Sequence, residues 1–389
     1  MIDITAVRAD TPGCGQVIHL NNAGSSLPPG PVVDTQIDYL TREALVGGYE
    51  LAAERSDQIG GVYESIGQLL GCTAGEIALV ASATDGWNAA FASLDLQAGD
   101  RILTSEAEYA SNLINFIKLA RERGVVVDVV PSTDQGELSA DGLESMIDDR
   151  VKLIAVSHIP TNGGLVNPAE EIGRIAGAAG ITYLLDACQS VGQLDLDVKE
   201  LGCDLLTATG RKYLRGPRGT GFLYVRDGWD NEPAVLDLHS ARWTGPGSYE
   251  VRPDARRFET WEFGWSSLVG LGAAVDYALD LGLDEIEQRI VDLAGRLRKI
   301  LGEVPGVTTT DIGARLCGIV TFTVSEHDAE EVVRMMRSAR INLSVSTPDS
   351  TPIDATRRDL PDLIRASVHY FNTEAELGRF AEALSTLTR

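Results

Sequence analysis

The sequence predicts an α/β protein in which a large domain, built on a mostly parallel seven-stranded sheet, carries a smaller α+β domain. Two observations predict it. Between residues 77 and 225, seven short and almost wholly apolar stretches alternate with polar turns and helix-like segments, the repeating unit of a parallel sheet covered on both faces. After about residue 275 the texture changes to amphipathic helices separated by a few isolated strands, which suits a smaller mixed unit.

In chain order, Val17–Leu20 reads as a short strand ending in the polar loop Asn21 to Gly30. Residues 31–70 read as helical with an interruption at Gly47-Gly-Tyr-Glu50, because two glycines cost too much inside a helix. The seven sheet strands are expected at Ile77–Val80, Arg101–Thr104, Val125–Val130, Leu153–Val156, Thr182–Leu185, Leu205–Ala208 and Phe222–Val225. Helices are expected from Trp87, near 111–122 and from Pro168. Beyond them come a helix at Leu283–Leu301, a strand at Gly318–Val324, a helix at 328–339, a strand at Ile341–Val345 and a last helix from Thr373. The stretch Ser346–Leu360, rich in Pro, Asp, Ser and Thr, reads as a mobile loop.

Composition narrows the partners. The 33 basic and 57 acidic residues leave a net charge of −24, which argues against nucleic acid and anionic membrane surfaces, since both reward a positive face. No apolar run approaches the roughly 20 residues a membrane span needs, and the N-terminus lacks the basic start of a signal peptide, so a cytoplasmic protein is expected. The five cysteines, Cys14, Cys72, Cys188, Cys203 and Cys317, form no C-x-x-C pair and no zinc spacing; no metal is expected, and packing is the reading for Cys188 and Cys203.

Chemistry gathers at strand ends, where ligands of parallel sheets collect. Lys212 sits in the glycine-rich turn Thr207–Gly221; partly desolvated and beside the charge of Arg211, its amine is a candidate nucleophile for a carbonyl. Asp186 closes the apolar strand before it, where a carboxylate needs a cation. Ser82-Ala-Thr-Asp-Gly86 lies between a strand and a helix, a place for phosphate on free N–H groups, although helix capping by Thr84 or Asp85 explains the same letters. There is no Walker A loop and no G-x-G-x-x-G after a strand. A ring nitrogen facing Asp186, an aldehyde captured by Lys212 and a phosphate at Thr84-Asp85 together describe pyridoxal 5′-phosphate (PLP).

The ordered motifs Asn21-Asn-Ala-Gly, Ala83-Thr-Asp-Gly, Ser157-His-Ile-Pro-Thr-Asn162, Asp186-Ala-Cys-Gln189, Gly210-Arg-Lys212, Arg257-Phe-Glu259 and Arg365-Ala-Ser-Val-His-Tyr-Phe-Asn-Thr373 resemble those of the class V aminotransferase family, which includes cysteine desulfurases, isopenicillin N epimerases and the sulfoxide lyase of ergothioneine biosynthesis. The resemblance implies the fold type I architecture of PLP-dependent transferases, with a large PLP-binding domain at 16–274, a small domain formed by 1–15 and 275–389, and a homodimer with a shared active site. It makes Lys212 the Schiff-base lysine and Asp186 the partner of the pyridine nitrogen, with Gln189 near the ring hydroxyl. Ala83, Thr84, Asp85, Thr209 and Arg211 would hold the phosphate, Arg211 standing where relatives often have histidine. Arg365 matches the arginine that binds the substrate α-carboxylate; Asn22, Thr161 and Asn162 lie where substrate contacts are expected, and Ser266 or Ser267 would reach the partner subunit's phosphate.

Two departures bear on the reaction. Desulfurases stack a histidine on the ring, and here Tyr109 or Ala110 falls in that stretch. Desulfurases also carry a nucleophilic cysteine on the segment before the arginine; this chain has Ser346-Thr-Pro-Asp-Ser-Thr-Pro352, and no cysteine follows Cys317. Without a thiolate no persulfide forms. The segments Gly47-Gly-Tyr-Glu50, Arg257 to Glu262 and His369 to Thr373 look closer to the ergothioneine-type lyases, so the expected activity is β-elimination from a cysteine conjugate or its sulfoxide. An aminotransferase or epimerase of a small-molecule pathway is the enzymatic alternative, and a PLP-binding regulatory protein the non-enzymatic one.

Overall fold

The structure is a computed structural model, and it describes residues 2–387. Seven strands form one sheet in the spatial order Ile77–Val80, Gly221–Val225, Leu205–Thr209, Thr182–Asp186, Val151–Ser157, Arg101–Ser105, Val126–Val130. Gly221–Val225 runs antiparallel to both neighbours and every other pair is parallel. The expected mostly parallel seven-stranded sheet is present.

The apolar strands are buried because both faces are covered. Leu184, Leu205 and Leu223 enter one core cluster, while Tyr183, Leu185, Leu206 and Phe222 enter the other, the period-two alternation of a strand. Helix Ala83–Ala92 packs on one face through Trp87 and Phe91, whose rings stack at 4.8 Å, with Phe116 of helix Ala110–Arg123 beside them. Helix Ala169–Ala179 buries Ile172 and Ile175 on the other.

A second, antiparallel sheet has the order Val307–Thr309, Ile319–Val324, Leu363–Ser367, Ser344–Ser346. Helices Leu283–Gly302, Ala329–Ser338 and Glu374–Ser385 pack around it. The last of these starts at a capping box between Thr373 and Glu376, the arrangement that satisfies two orphan N–H groups at once. Near the N-terminus, the two-residue strand Ile18–His19 pairs with Ile341–Asn342, and Arg8 reaches Glu376 at 2.9 Å. Among the described residues no single helix is long and apolar enough to cross a membrane.

Two expectations change. Ser346–Leu360 is folded rather than an open loop: a 3-10 turn at Pro348–Ser350 and a helix at Pro352–Arg357 are tied down by Asn162 Nδ2 to the Thr347 carbonyl at 2.8 Å and by the Asp354 N–H to the Glu106 carbonyl at 3.0 Å. Proline and small polar residues also open helices, so the composition was ambiguous. At Gly47 the chain turns with φ of 101° and resumes as helix Gly48–Glu54 at once. The hairpin Ala241–Gly245 with Ser248–Val251 was not foreseen; its mostly exposed faces lack apolar alternation.

Gly221 permits the approach that builds the site. A Cβ there would lie 2.7 Å from the Ala208 carbonyl oxygen and 2.8 Å from the Ala83 nitrogen, so strand and helix start meet only because the side chain is missing. Gly221→Ala is expected to cost about 1–3 kcal/mol of stability by overpacking, checked by thermal melts.

Candidate active site

Three elements converge on one cavity of about 200 Å³: the carboxyl ends of strands Thr182–Asp186 and Leu205–Thr209, and the N-terminus of helix Ala83–Ala92. Lys212, just past the second strand, lines it. Burial lowers the Lys212 pKa, against the pull of Cys188 and Asp186 that raises it, with Arg211 adding to the lowering. The amine is therefore a better base and nucleophile than a solvated lysine.

Asp186 lines the same cavity with its carboxylate nearly buried. It accepts the Cys188 N–H at 3.0 Å on Oδ1 and Asn112 Nδ2 at 3.2 Å on Oδ2. No cation pairs with it among the described residues, which leaves acceptor capacity toward the cavity. Arg365, in the middle of strand Leu363–Ser367, enters from the second sheet. Its Nη1 donates to the Thr161 carbonyl at 3.1 Å and to Thr161 Oγ1 at 2.7 Å, while the buried Nε has no partner. Burial lowers its pKa. A buried guanidinium without an acid is poised for an anion.

At the other end, the Ser82 hydroxyl caps the helix by accepting the Asp85 N–H at 3.1 Å. The Ala83 and Thr84 N–H groups, first in the helix, are left without helical partners, and both residues line the cavity beside Thr209 and Arg211, whose Nη1 donates to Thr209 Oγ1 at 3.2 Å. Free N–H groups, a hydroxyl and a guanidinium make a phosphate site. Gln189 donates to the Ala23 carbonyl at 3.2 Å and keeps a buried, unpartnered Oε1.

The structure thus brings together Ala83, Thr84, Tyr109, Thr161, Asp186, Gln189, Thr209, Arg211, Lys212 and Arg365. Of the two stacking candidates, Tyr109 lines the cavity and Ala110 opens the next helix. Other expected residues do not join them. The Asp85 carboxylate accepts the Ser82 hydroxyl at 2.9 Å and borders a different cavity; a carboxylate also repels phosphate. Asn22 is spent on structure, its Nδ2 on the Ser367 carbonyl at 2.7 Å and its Oδ1 on Ser26 at 2.7 Å. Asn162 holds the folded 346–351 segment through Thr347, Thr351 and Ser346. Ser266 and Ser267 sit in the first turn of helix Trp265–Leu281 and do not line this chain's own cavity.

The lining residues missed as site members include Trp87, Asn112, Ser157 and Cys188. Cys188, expected as packing, is a cavity thiol whose pKa is pushed up by burial and then by the Asp186 charge. Its place two residues after a strand-end aspartate was the available signal.

PLP fits this set of groups. The unpaired Arg365 Nε, the remaining acceptor capacity of Asp186, the desolvated Lys212 and the first-turn N–H groups of Ala83 and Thr84 are of the chemical kind that a carboxylate, a ring nitrogen, an aldehyde and a phosphate require.

Comparison with known proteins agrees. Similar relatives include a probable cysteine desulfurase of Methanothermobacter thermautotrophicus, 27% identical over 98% of this chain and 97% of its own. A cysteine desulfurase of Yersinia pestis is 30% identical over 99% and 98%. Among solved structures, the apo cysteine desulfurase of Thermococcus onnurineus NA1 superposes with a TM-score of 0.93 at 25% identity, covering 100% of this chain and 98% of that one. The cystine C–S lyase C-DES, in complex with its reaction product cysteine persulfide, shares the fold with a TM-score of 0.87 at 23% identity, over 96% and 99%. The family described as Aminotransferase class-V matches residues 18–380, and with that match spanning nearly its whole length the chain belongs to the class V aminotransferases, PLP-dependent enzymes of fold type I.

Proposed function

We propose that the protein is a C–S lyase that eliminates sulfur from Cβ of a cysteine conjugate or its sulfoxide. The observation that carries this reading is where thiols stand. The folded segment Ser344–Leu360 beside the arginine strand holds none, and the one cavity thiol, Cys188, lies against Asp186 and is held protonated by burial, a poor nucleophile toward sulfur.

In this reading Arg365 binds the substrate α-carboxylate through its free Nε and Nη2, and Thr161 fixes the guanidinium plane. Asp186 would hold the ring nitrogen, Ala83, Thr84, Thr209 and Arg211 would hold the phosphate, and Tyr109 would be the ring neighbour. When bound, PLP supplies the electron sink for charge at the substrate α-carbon. Lys212 Nζ takes the α-proton as general base; the Cβ–S bond breaks with its electron pair on sulfur, which takes up a proton on release. Hydrolysis of the remaining enamine gives pyruvate and ammonia. A homodimer belongs to the same reading, supported by an exposed apolar strip at Ile37, Leu40, Leu45 and Tyr49.

A second reading, cysteine desulfurase, is favoured by the names of the relatives and by Cys188 in the cavity. Product analysis separates the two: lyase action releases pyruvate and sulfur product in equal amounts, desulfurase action gives alanine and protein-bound persulfide. Cys188→Ala is expected to keep pyruvate formation within about tenfold of the parent, since the thiol is not the general base. Alanine as the product, lost in that variant, would sink the lyase reading.

A further inference from the structure

Behind Asp186 lies a second carboxylate that the reading above does not use. Glu108 sits between strand Arg101–Ser105 and helix Ala110–Arg123 and is fully buried. Among the described residues no cation pairs with it, yet five donors converge on it. Oε1 accepts the Ser157 hydroxyl at 2.6 Å, Asn112 Nδ2 at 2.8 Å and the Tyr109 N–H at 2.9 Å; Oε2 accepts the Ser157 N–H at 2.8 Å and the Thr104 hydroxyl at 3.3 Å. The same Asn112 nitrogen donates to Asp186 Oδ2 at 3.2 Å. An amide nitrogen has two hydrogens, so one NH2 group ties two carboxylates from different strand ends together.

We propose that Glu108 is a positioning residue for the cofactor: through the Asn112 amide it fixes the Asp186 carboxylate and adds negative charge to the end of the site that meets the ring nitrogen. It also anchors the backbone of Tyr109, so both ring contacts depend on one buried group. The inference rests on the assignment of Asp186 to the ring nitrogen.

Chemistry makes the arrangement sensitive to pH. Burial first, and the Asp186 charge second, raise the Glu108 pKa to about 7, against the lowering effect of its hydrogen bonds. The titratable groups bearing on it are Asp186 and, on the same strand, Tyr183. Its proton can be accommodated, because the Ser157 and Thr104 hydroxyls can turn from donating to accepting. The N–H groups of Ser157, Tyr109 and Asn112 cannot.

The test combines PLP titration of the apo full-length chain with a pH titration of the absorbance of the loaded enzyme. Asn112→Ala and Glu108→Gln are each expected to raise the PLP dissociation constant about tenfold, the scale of one charge-assisted hydrogen bond. The double variant should exceed neither by more than about twofold, since both act through one link. Glu108→Gln should also lower the pH midpoint of the absorbance change, as a nearby negative charge is gone. Asp186→Ala is the control: if it binds PLP and titrates as the parent does, the assignment of Asp186 falls and this inference with it. If Asp186→Ala loses affinity while Asn112→Ala and Glu108→Gln match the parent in both readouts, Glu108 has no positioning role. Should Glu108→Gln not fold, Asn112→Ala, which leaves Glu108 four donors, decides by its dissociation constant alone.

Discussion

Lys212→Ala is expected to abolish pyruvate formation, a fall of at least about 10⁴-fold, and to remove the absorbance band near ~420 nm of a lysine-bound cofactor. Both losses follow from one atom, because in the proposed reaction the Nζ that would capture the aldehyde is also the base that would take the α-proton. Lys212→Arg should be as inactive, since a guanidinium keeps its proton at any working pH. Folding gives the contrasting sign. Burial lowers the Lys212 pKa below the 10.5 of a free lysine, so the unfolded chain binds more protons than the folded one between the two values. Stability of the apo protein then rises with pH through that window, and Lys212→Met should flatten the rise while holding or raising the melting temperature. A variant that retains turnover would place the base elsewhere.

Much of this was legible in the sequence for a physical reason. Strands covered on both faces are unbroken apolar runs, and Asp186 and Lys212 stand out because charge at the end of such a run demands a partner. The rest was hidden by distance or by ambiguous chemistry. Glu108 finds Ser157 across 49 residues, and nothing local to Glu108 announces that pairing. Asn22 and Asn162 look like ligand contacts because an amide in a strand-end loop suits either a substrate or a neighbouring backbone; the structure spends both on the backbone and loops. Asp85 carried two readings, phosphate contact and helix cap, and the structure gives it neither: Ser82 is the N-cap, and its hydroxyl donates to the Asp85 carboxylate one turn into the helix. Ser346–Leu360 misled by composition, since the residues that break helices also begin them.

Arg365 should divide binding from cofactor chemistry. It is centred in the second sheet, with Thr321 and Ser344 opposite it on the flanking strands, so its backbone is fixed by pairing on both sides. Thr161 immobilises one end of the guanidinium and leaves the Nε edge free. Two parallel charge-assisted bonds to a carboxylate at about 1.5–3 kcal/mol each predict that Arg365→Met raises KM for the amino acid about 10²- to 10⁴-fold while PLP still binds. Arg365→Lys recovers only part, because an ammonium offers no planar fork. A decarboxylated substrate analogue should lose affinity for the parent enzyme by a similar factor and lose little more in Arg365→Met, which closes a double-substitution cycle on the carboxylate contact. The melting temperature of apo Arg365→Met should hold or rise, since a buried cation without an acid is removed. An unchanged KM, or an analogue penalty that survives in the variant, would assign the carboxylate to another group.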